Sequence, residues 1–334
     1  MKLANSTALS ADIFRTTVSE ERVLAAVVVR RTFKLARPNA PDRGTLQPWE
    51  PGEPTPWPVS HVPYETPWGE MEADGPFPRG GVDLMLFGSA WAPRGTRVQM
   101  LRVRAQVGRQ LRELAVFGDR YWRKQRDDLV ASEPGPFDHM PLSIGHAFGG
   151  RTVWDGLSVP YPLNPEGRGY YIDQDAAVDG PLPNLELVEA PIRHWRDQPE
   201  PAGVGFCPQT HGLRILSGTK LSEDKSAIEM LTPRLHNAAF PRMVLEGVAP
   251  GQPVQVEGLH PDGALSFQLQ GPGAWVQLRL GDALHERPLA IDQIGIDAER
   301  GLLFISYRFP FTYRVIAKEV RECHLLPMPD AAPS

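Results

Sequence analysis

The stretch Val23–Leu35, VLAAVVVRRTFKL, opens as seven consecutive apolar residues and closes in alternation, with Val29, Arg31, Phe33 and Leu35 set against Arg30, Thr32 and Lys34. A β-strand that is buried on both faces early and half exposed late reads this way. Further strand signals follow at Val82–Trp91, Arg97–Val107 and Gln110–Phe117, joined by the turn residues Pro93-Arg94-Gly95 and Gly108. The middle one changes phase between Met100 and Leu101, which predicts a bulge there. Later, Leu265, Phe267 and Leu269 alternate, as do Val276, Leu278 and Leu280, and Leu302–Phe309 is apolar on both faces. These runs predict a meander of antiparallel strands at each end of the chain.

Between the strands lie two unusual regions. Pro38 to Pro78 holds eleven prolines together with Trp49, Trp57 and Trp68. Proline fixes φ and removes a ladder donor, while tryptophans need burial, so this is an ordered wrapping loop. Ser132 to Pro208 is a second Pro/Gly/aromatic-rich stretch, too long for an idle loop in a compact domain. One helix is expected, at Ser222–Leu231, capped by Ser222, with Glu223 and Asp224 in its first turn and stopped by Pro233. The expected fold is therefore mainly β: antiparallel sheets in a sandwich-like arrangement of two packed β subdomains, with long loops and under roughly 15% helix. The first subdomain spans 1–220 and includes the loop region 132–208; the second spans 235–330. The boundary falls near Pro208–Pro241, and the two form one compact unit.

Composition narrows the function. The 334 residues include 35 prolines and 31 glycines, about a fifth of the chain, which disfavours a helical bundle. The net charge of −5 shows no basic face for nucleic acid. The longest apolar run is the seven residues Val23–Val29, against about 20 for a membrane span. No signal peptide is visible between Met1 and Glu21. Cys207 and Cys323 cannot make a disulfide framework. The expectation is a cytoplasmic protein that neither binds nucleic acid nor inserts in a membrane.

Chemistry-bearing motifs are scarce. There is no phosphate-binding G-x-x-x-x-G-K-[ST], no G-x-S-x-G, no H-E-x-x-H and no C-x-x-C; Gly203 and Gly205 open a G-x-G whose third glycine position is Pro208. His139 and His146, beside Asp138, are a weak metal candidate. Cys207 and His211 form a sequential pair, though catalytic Cys–His pairs are spatial neighbours, and Cys207 between Phe206 and Pro208 reads as a small buried apolar residue. Glu186 with Glu189, or Asp173 with Asp175, offers a carboxylate pair for glycan hydrolysis, with tryptophans and tyrosines to line a sugar groove. No cofactor and no metal are expected.

Between Phe117 and Glu186 run, in order, Gly118-Asp119-Arg120-Tyr121-Trp122, Pro136-Phe137-Asp138, Ala147-Phe148-Gly149-Gly150, Asn164-Pro165-Glu166-Gly167-Arg168-Gly169 and Leu182-Pro183-Asn184-Leu185-Glu186. This series resembles a bacterial family catalogued as domain of unknown function 2169, as do Asp83–Ala90, Leu235–Phe240, Ile291–Asp297 and Ser306-Tyr307-Arg308, over about Val23 to Phe309. The sequence departs from the family pattern at Thr210-His211-Gly212-Leu213-Arg214, at Ser217-Gly218-Thr219-Lys220, where an aromatic and an acid are missing, and at Tyr307, which stands where a tryptophan is usual.

The resemblance implies a non-enzymatic adaptor or chaperone of type VI secretion. It would bind an effector, through the effector's N-terminal or apolar segment, and help load it onto the VgrG or PAAR-type spike by protein–protein contact. It brings no catalytic residues. Asp119, Arg120, Trp122, Phe148, Asn164, Arg168, Asn184 and Glu186 are then candidates for partner binding or for organising the long loop. A buried polar network holding that loop is the plainer role for Arg120, Arg168, Asn184 and Glu186. The alternative activity is a glycan- or polymer-active hydrolase using a carboxylate pair. A third reading is a structural spike component that is itself exported.

Overall fold

The computed structural model describes residues 1–50, 53–224, 227–316 and 319–328. Strands account for 47% of the chain and helix for 7%, in several antiparallel sheets, as the alternation predicts. Pro51, Lys225, Ser226, Pro329 and Asp330, which fall within the predicted loop, helix and C-terminal range, lie outside the described residues.

The decisive stretch forms the Arg22–Leu35 strand, an interior member of a seven-stranded sheet. On one side it pairs with Ser10–Ser19 and, beyond it, with Leu46–Pro48. On the other it pairs along nearly its whole length with Leu302–Arg314. Ala290–Asp297, Val82–Phe87 and Val244–Leu245 complete the sheet, with the 290–297 and 82–87 strands running parallel. A five-stranded antiparallel sheet runs in the order Leu185–Leu187, Gln110–Phe117, Met100–Val107, Pro253–Glu257, Leu265–Gln268. A four-stranded sheet joins Leu3–Asn5, Arg321–Pro327, Ala274–Leu280 and Ala283–Arg287. One continuous apolar core includes residues of all three, among them Val29, Ile305, Val103, Val256, Val276 and Leu325. The ranges 1–220 and 235–330 each contribute strands to every one of these sheets.

Both faces of the seven-stranded sheet are covered. The proline-rich loop lies on one, where Trp57 is fully buried against Phe304 and Phe87, at ring-centroid distances of 4.8 and 5.6 Å. On the other, the Tyr307 hydroxyl and the Arg31 guanidinium donate to the Gln270 and Gly271 carbonyls. This covering corrects the expected exposure of the strand's second half: Arg30 is 2% exposed, buried under the loop.

Two other expectations are overturned. No bulge interrupts the Met100–Val107 strand, whose register runs unbroken from Met100 opposite Phe117 to Val107 opposite Gln110. The phase change arises one residue earlier, where the chain bends at Gln99 after Val98 bridges Phe137. The helix predicted at Ser222–Leu231 is absent: Thr219–Leu221 and Ile228–Leu231 form a hairpin. Ser222 caps its turn, the Oγ accepting from Ala227 N at 3.0 Å. The helix of this region is Gly212–Gly218.

Candidate functional site

The eight candidate residues converge on the long loop, and most point inward. Arg120 Nη2 donates to Glu186 Oε1 at 2.5 Å and to the Pro183 carbonyl at 2.7 Å, and its guanidinium lies 3.8 Å from the Phe117 ring centroid. The other Glu186 oxygen accepts from Ile192 N at 3.0 Å. Asn184 Nδ2 donates to the Phe117 carbonyl and to Asp119 Oδ1, leaving Asp119 itself exposed. Asn164 Nδ2 holds the Ile144 and Phe148 carbonyls, each at 2.9 Å, and Arg168, half-buried, bonds to the Gly145 carbonyl. Phe148 packs edge-on against Tyr161. Trp122 lies apart from these, in a small core with Leu129, Ala177, Leu182 and Trp195. The glycines make this packing possible: a Cβ at Gly149, whose φ is +145°, would fall 2.1 Å from the Asn164 carbonyl oxygen. Arg120, Trp122, Phe148, Asn164, Asn184 and Glu186 are thus buried. Arg120 Nε and Asn184 Oδ1 are buried atoms of this network without a hydrogen-bond partner.

The remaining sequence candidates are engaged by other partners. Glu186 belongs to Arg120, whereas Glu189 pairs with Arg242. Asp173 caps the short helix Gln174–Ala177 by accepting from Ala176 N. His139 stacks on Trp91 and bonds to Asp138, while His146 bonds to Ser143. Among the described residues no group of three or more His, Cys, Asp or Glu side chains is placed to hold a metal ion. Burial pushes the Cys207 thiol up to about 12, so it stays protonated. His211 Nδ1 accepts from Leu213 N and caps the Gly212–Gly218 helix.

A second buried polar system was not foreseen. Arg30, Ser306, Gln293 and Asp83 stand side by side on four adjacent strands of the seven-stranded sheet. Arg30 bonds to Ser306, Gln293 and Asp74, and Gln293 donates to Asp83. Asp83 also accepts from Arg79, from Asn237 Nδ2 and from the Ala238 and Ala239 amides. A register shift between Ile291 and Gln293 lets the sequence neighbours Asp292 and Gln293 both join this network, Asp292 taking Arg79 and Arg308. Nearby, Arg214 grips Glu72 through two hydrogen bonds. These groups tie the proline-rich loop and the 233–239 segment to the sheet.

The outward-facing counterpart lies next in the chain. Arg214 and Leu213 turn inward, while Ile215 and Leu216 on the same helix are exposed. In the following hairpin Ile228, Met230 and Leu231 are 56, 54 and 62% exposed, and Leu221 is exposed opposite them. Each hairpin strand is paired on one side only. Scattered apolar surface residues are ordinary, but six on one helix-plus-hairpin unit concentrate exposed apolar surface there, on both faces of the hairpin since Met230 and Leu231 are strand neighbours. Beside it, His211 meets Phe240 edge-on at 5.1 Å, and Phe240 helps line a cavity of about 460 Å³ at the ends of the parallel strands 82–87 and 290–297.

Residues 20–308 match the family model described as uncharacterized protein conserved in bacteria (DUF2169). The chain belongs to this family. No curated protein and no solved structure matches it.

The family segments noted in the sequence divide by position in this member. The ordered series from Gly118 to Glu186 builds the inward network, and Tyr307, at a departure from the family pattern, is fully buried. The other two departures fall on the Gly212–Gly218 helix and the first hairpin strand. The buried row joining Arg30 to Asp83 could not be recognised from spacing, because its members are up to 276 positions apart. Of the exposed apolar residues, Ile228, Met230 and Leu231 fall in the stretch read above as a helix.

Proposed function

We propose that this protein is a non-enzymatic adaptor or chaperone of the producing cell's cytoplasm. It binds a type VI secretion effector and assists its loading onto the VgrG or PAAR-type spike. The observation that carries the reading is the apolar unit of Ile215 and Leu216 on a helix and Leu221, Ile228, Met230 and Leu231 on a hairpin whose outer edges pair with no other strand among the described residues. An extended apolar segment of the effector adds to such an edge through backbone hydrogen bonds, while its alternate side chains cover the exposed ones. Family membership, through the role the family resemblance implies, supplies the secretion context. Two of the three departures from the family pattern reach this same unit, which fits a surface matched to a particular client.

Co-expression with the effector and spike proteins encoded beside it tests the reading. The expected result is a stable complex that survives gel filtration and contains the effector. Failure of both the effector and the spike protein to co-purify would sink it. Fractionation provides a second check, with the protein retained in intact producing cells; its appearance in the medium would favour an exported spike component instead.

A further inference from the structure

The cavity beside the patch has features of a receptor for one kind of side chain. Its floor includes the buried rings of Phe87 and Phe240, and its walls include Leu142, Ile144, Trp68 and Phe206. The volume of about 460 Å³ falls within the range of roughly 300–1,000 Å³ typical of ligand pockets. The Trp68 indole is fixed, its Nε1 donating to Asp297 Oδ2 at 2.7 Å. At the rim is Glu299, exposed and without a hydrogen bond or ion pair among the described residues. It lies across Gly88, where an added Cβ would stand 2.9 Å from Glu299 Cγ. Asp297, by contrast, already has Arg300 at 3.5 Å. Burial raises the Asp297 carboxyl against the opposing pull of the Trp68 hydrogen bond and of Arg300.

An apolar hollow with aromatic walls and one uncommitted carboxylate at its lip complements an apolar side chain with a cation beside it. We propose that this cavity is an anchor pocket for the bound polypeptide, taking an aromatic or large aliphatic side chain whose immediate neighbour is Lys or Arg. The apolar side chain fills the space between Trp68, Phe206 and Phe240, in the manner of a buried hot-spot anchor. The basic group pairs with Glu299 and lies over the Trp68 ring, where a cation is also attracted by the aromatic face. The inference rests on the adaptor reading and supplies the chemistry of the segment gripped.

Panning a random 12-residue peptide library displayed on phage against the full-length protein tests it. Enriched peptides should carry an apolar residue adjacent to Lys or Arg, and the synthetic peptides should bind in fluorescence anisotropy. At Gly205, which lines the cavity, an added Cβ would have only ordinary contacts, at 3.8 Å to the Leu86 carbonyl and 3.9 Å to the Phe87 ring. Gly205→Leu therefore occupies the pocket and should weaken the peptides about tenfold or more. Glu299→Gln should weaken them by about two- to fivefold and flatten the salt dependence. Glu299→Lys, at an exposed position, should weaken them further and decides the matter if Gly205→Leu fails to fold. Enrichment without the basic-apolar pair, or equal binding by folded Gly205→Leu and Glu299→Lys, overturns the pocket. If the neighbouring effector co-purifies equally with wild type and with those two variants, the adaptor reading stands and the pocket falls. If the peptides need the pocket but no effector or spike protein co-purifies, the adaptor reading falls and the pocket stands.

Discussion

The loop built from the family's ordered motifs and the helix-plus-hairpin unit at 212–231 invert each other's chemistry. In the first, arginine, asparagine and glutamate side chains are buried and spend their hydrogen bonds on the protein's own backbone. In the second, isoleucine, leucine and methionine side chains face solvent. The contrast teaches that the ordered motif residues of this chain are turned into the molecule, while its exposed apolar unit is made of residues with no motif. A buried polar group without a partner is costly, so each such position tolerates few alternatives. An exposed apolar position is constrained only by what covers it.

The contrast can be broken most severely at Glu186. Glu186→Ala leaves the buried Arg120 guanidinium without its carboxylate, and loss of one member of a buried pair costs about 3–5 kcal/mol. Chemical denaturation should show the midpoint falling with the m-value unchanged; a loss under about 1 kcal/mol would mean the network does not hold the loop. Asn164→Ala releases two carbonyls held at 2.9 Å and should cost about 1–3 kcal/mol by the same measurement. On the outward unit, Ile228→Glu/Leu231→Glu should change stability by no more than about 0.5 kcal/mol per site, as for ordinary surface substitutions, while abolishing effector co-purification. Destabilisation comparable to Glu186→Ala would show that the patch is packed in solution.

Acidification is the mildest probe. Burial, as the leading cause, holds His146, His211, His236 and His260 below the ordinary 6.5. A folded pKa below the unfolded one means the unfolded chain binds more protons, so the stability from these groups is complete above pH 6.5 and is lost as pH falls through their depressed values. The raised carboxyls Asp297 and Glu200 act in the opposite sense, favouring the fold as pH drops toward their ordinary range. Thermal melts should therefore decline gently from pH 7.5 to 5.5. His236→Phe, which keeps an aromatic ring against Phe77, should flatten that decline; an unchanged slope would remove His236 from the account.

Much of the sheet structure was legible because alternation is written locally. Gln110–Phe117 runs as read, and Leu302–Phe309 is the two-sided part of a strand that continues to Arg314. What failed had physical causes of two kinds. Ser222, Glu223 and Asp224 suit a helix start, but serine side chains close turns by the same backbone bonding, and here Ser222 closes the hairpin. The true helix, Gly212–Gly218, has only seven residues and a glycine at each end; Gly218 is required because a Cβ there would stand 2.6 Å from Leu235. Arg30 misled in another way, since alternation cannot reveal that a proline-rich loop will roof the polar face. For the candidate site, the burial of Arg120, Asn164, Asn184 and Glu186 accords with the need of buried polar atoms for partners. The pocket was illegible: Trp68, Phe206, Phe240 and Glu299 come from four distant parts of the chain.

The pairing of Arg22–Leu35 with Leu302–Arg314 sets a timetable for biosynthesis. Arg30 emerges 276 residues before Ser306, and at about 5–20 residues per second the ribosome needs roughly 14–55 s to bridge that gap. Throughout the interval the most apolar strand of the protein has one edge unclaimed. Nascent chains stalled before residue 302 should consequently be bound by general folding helpers, whereas release of the complete chain should free them.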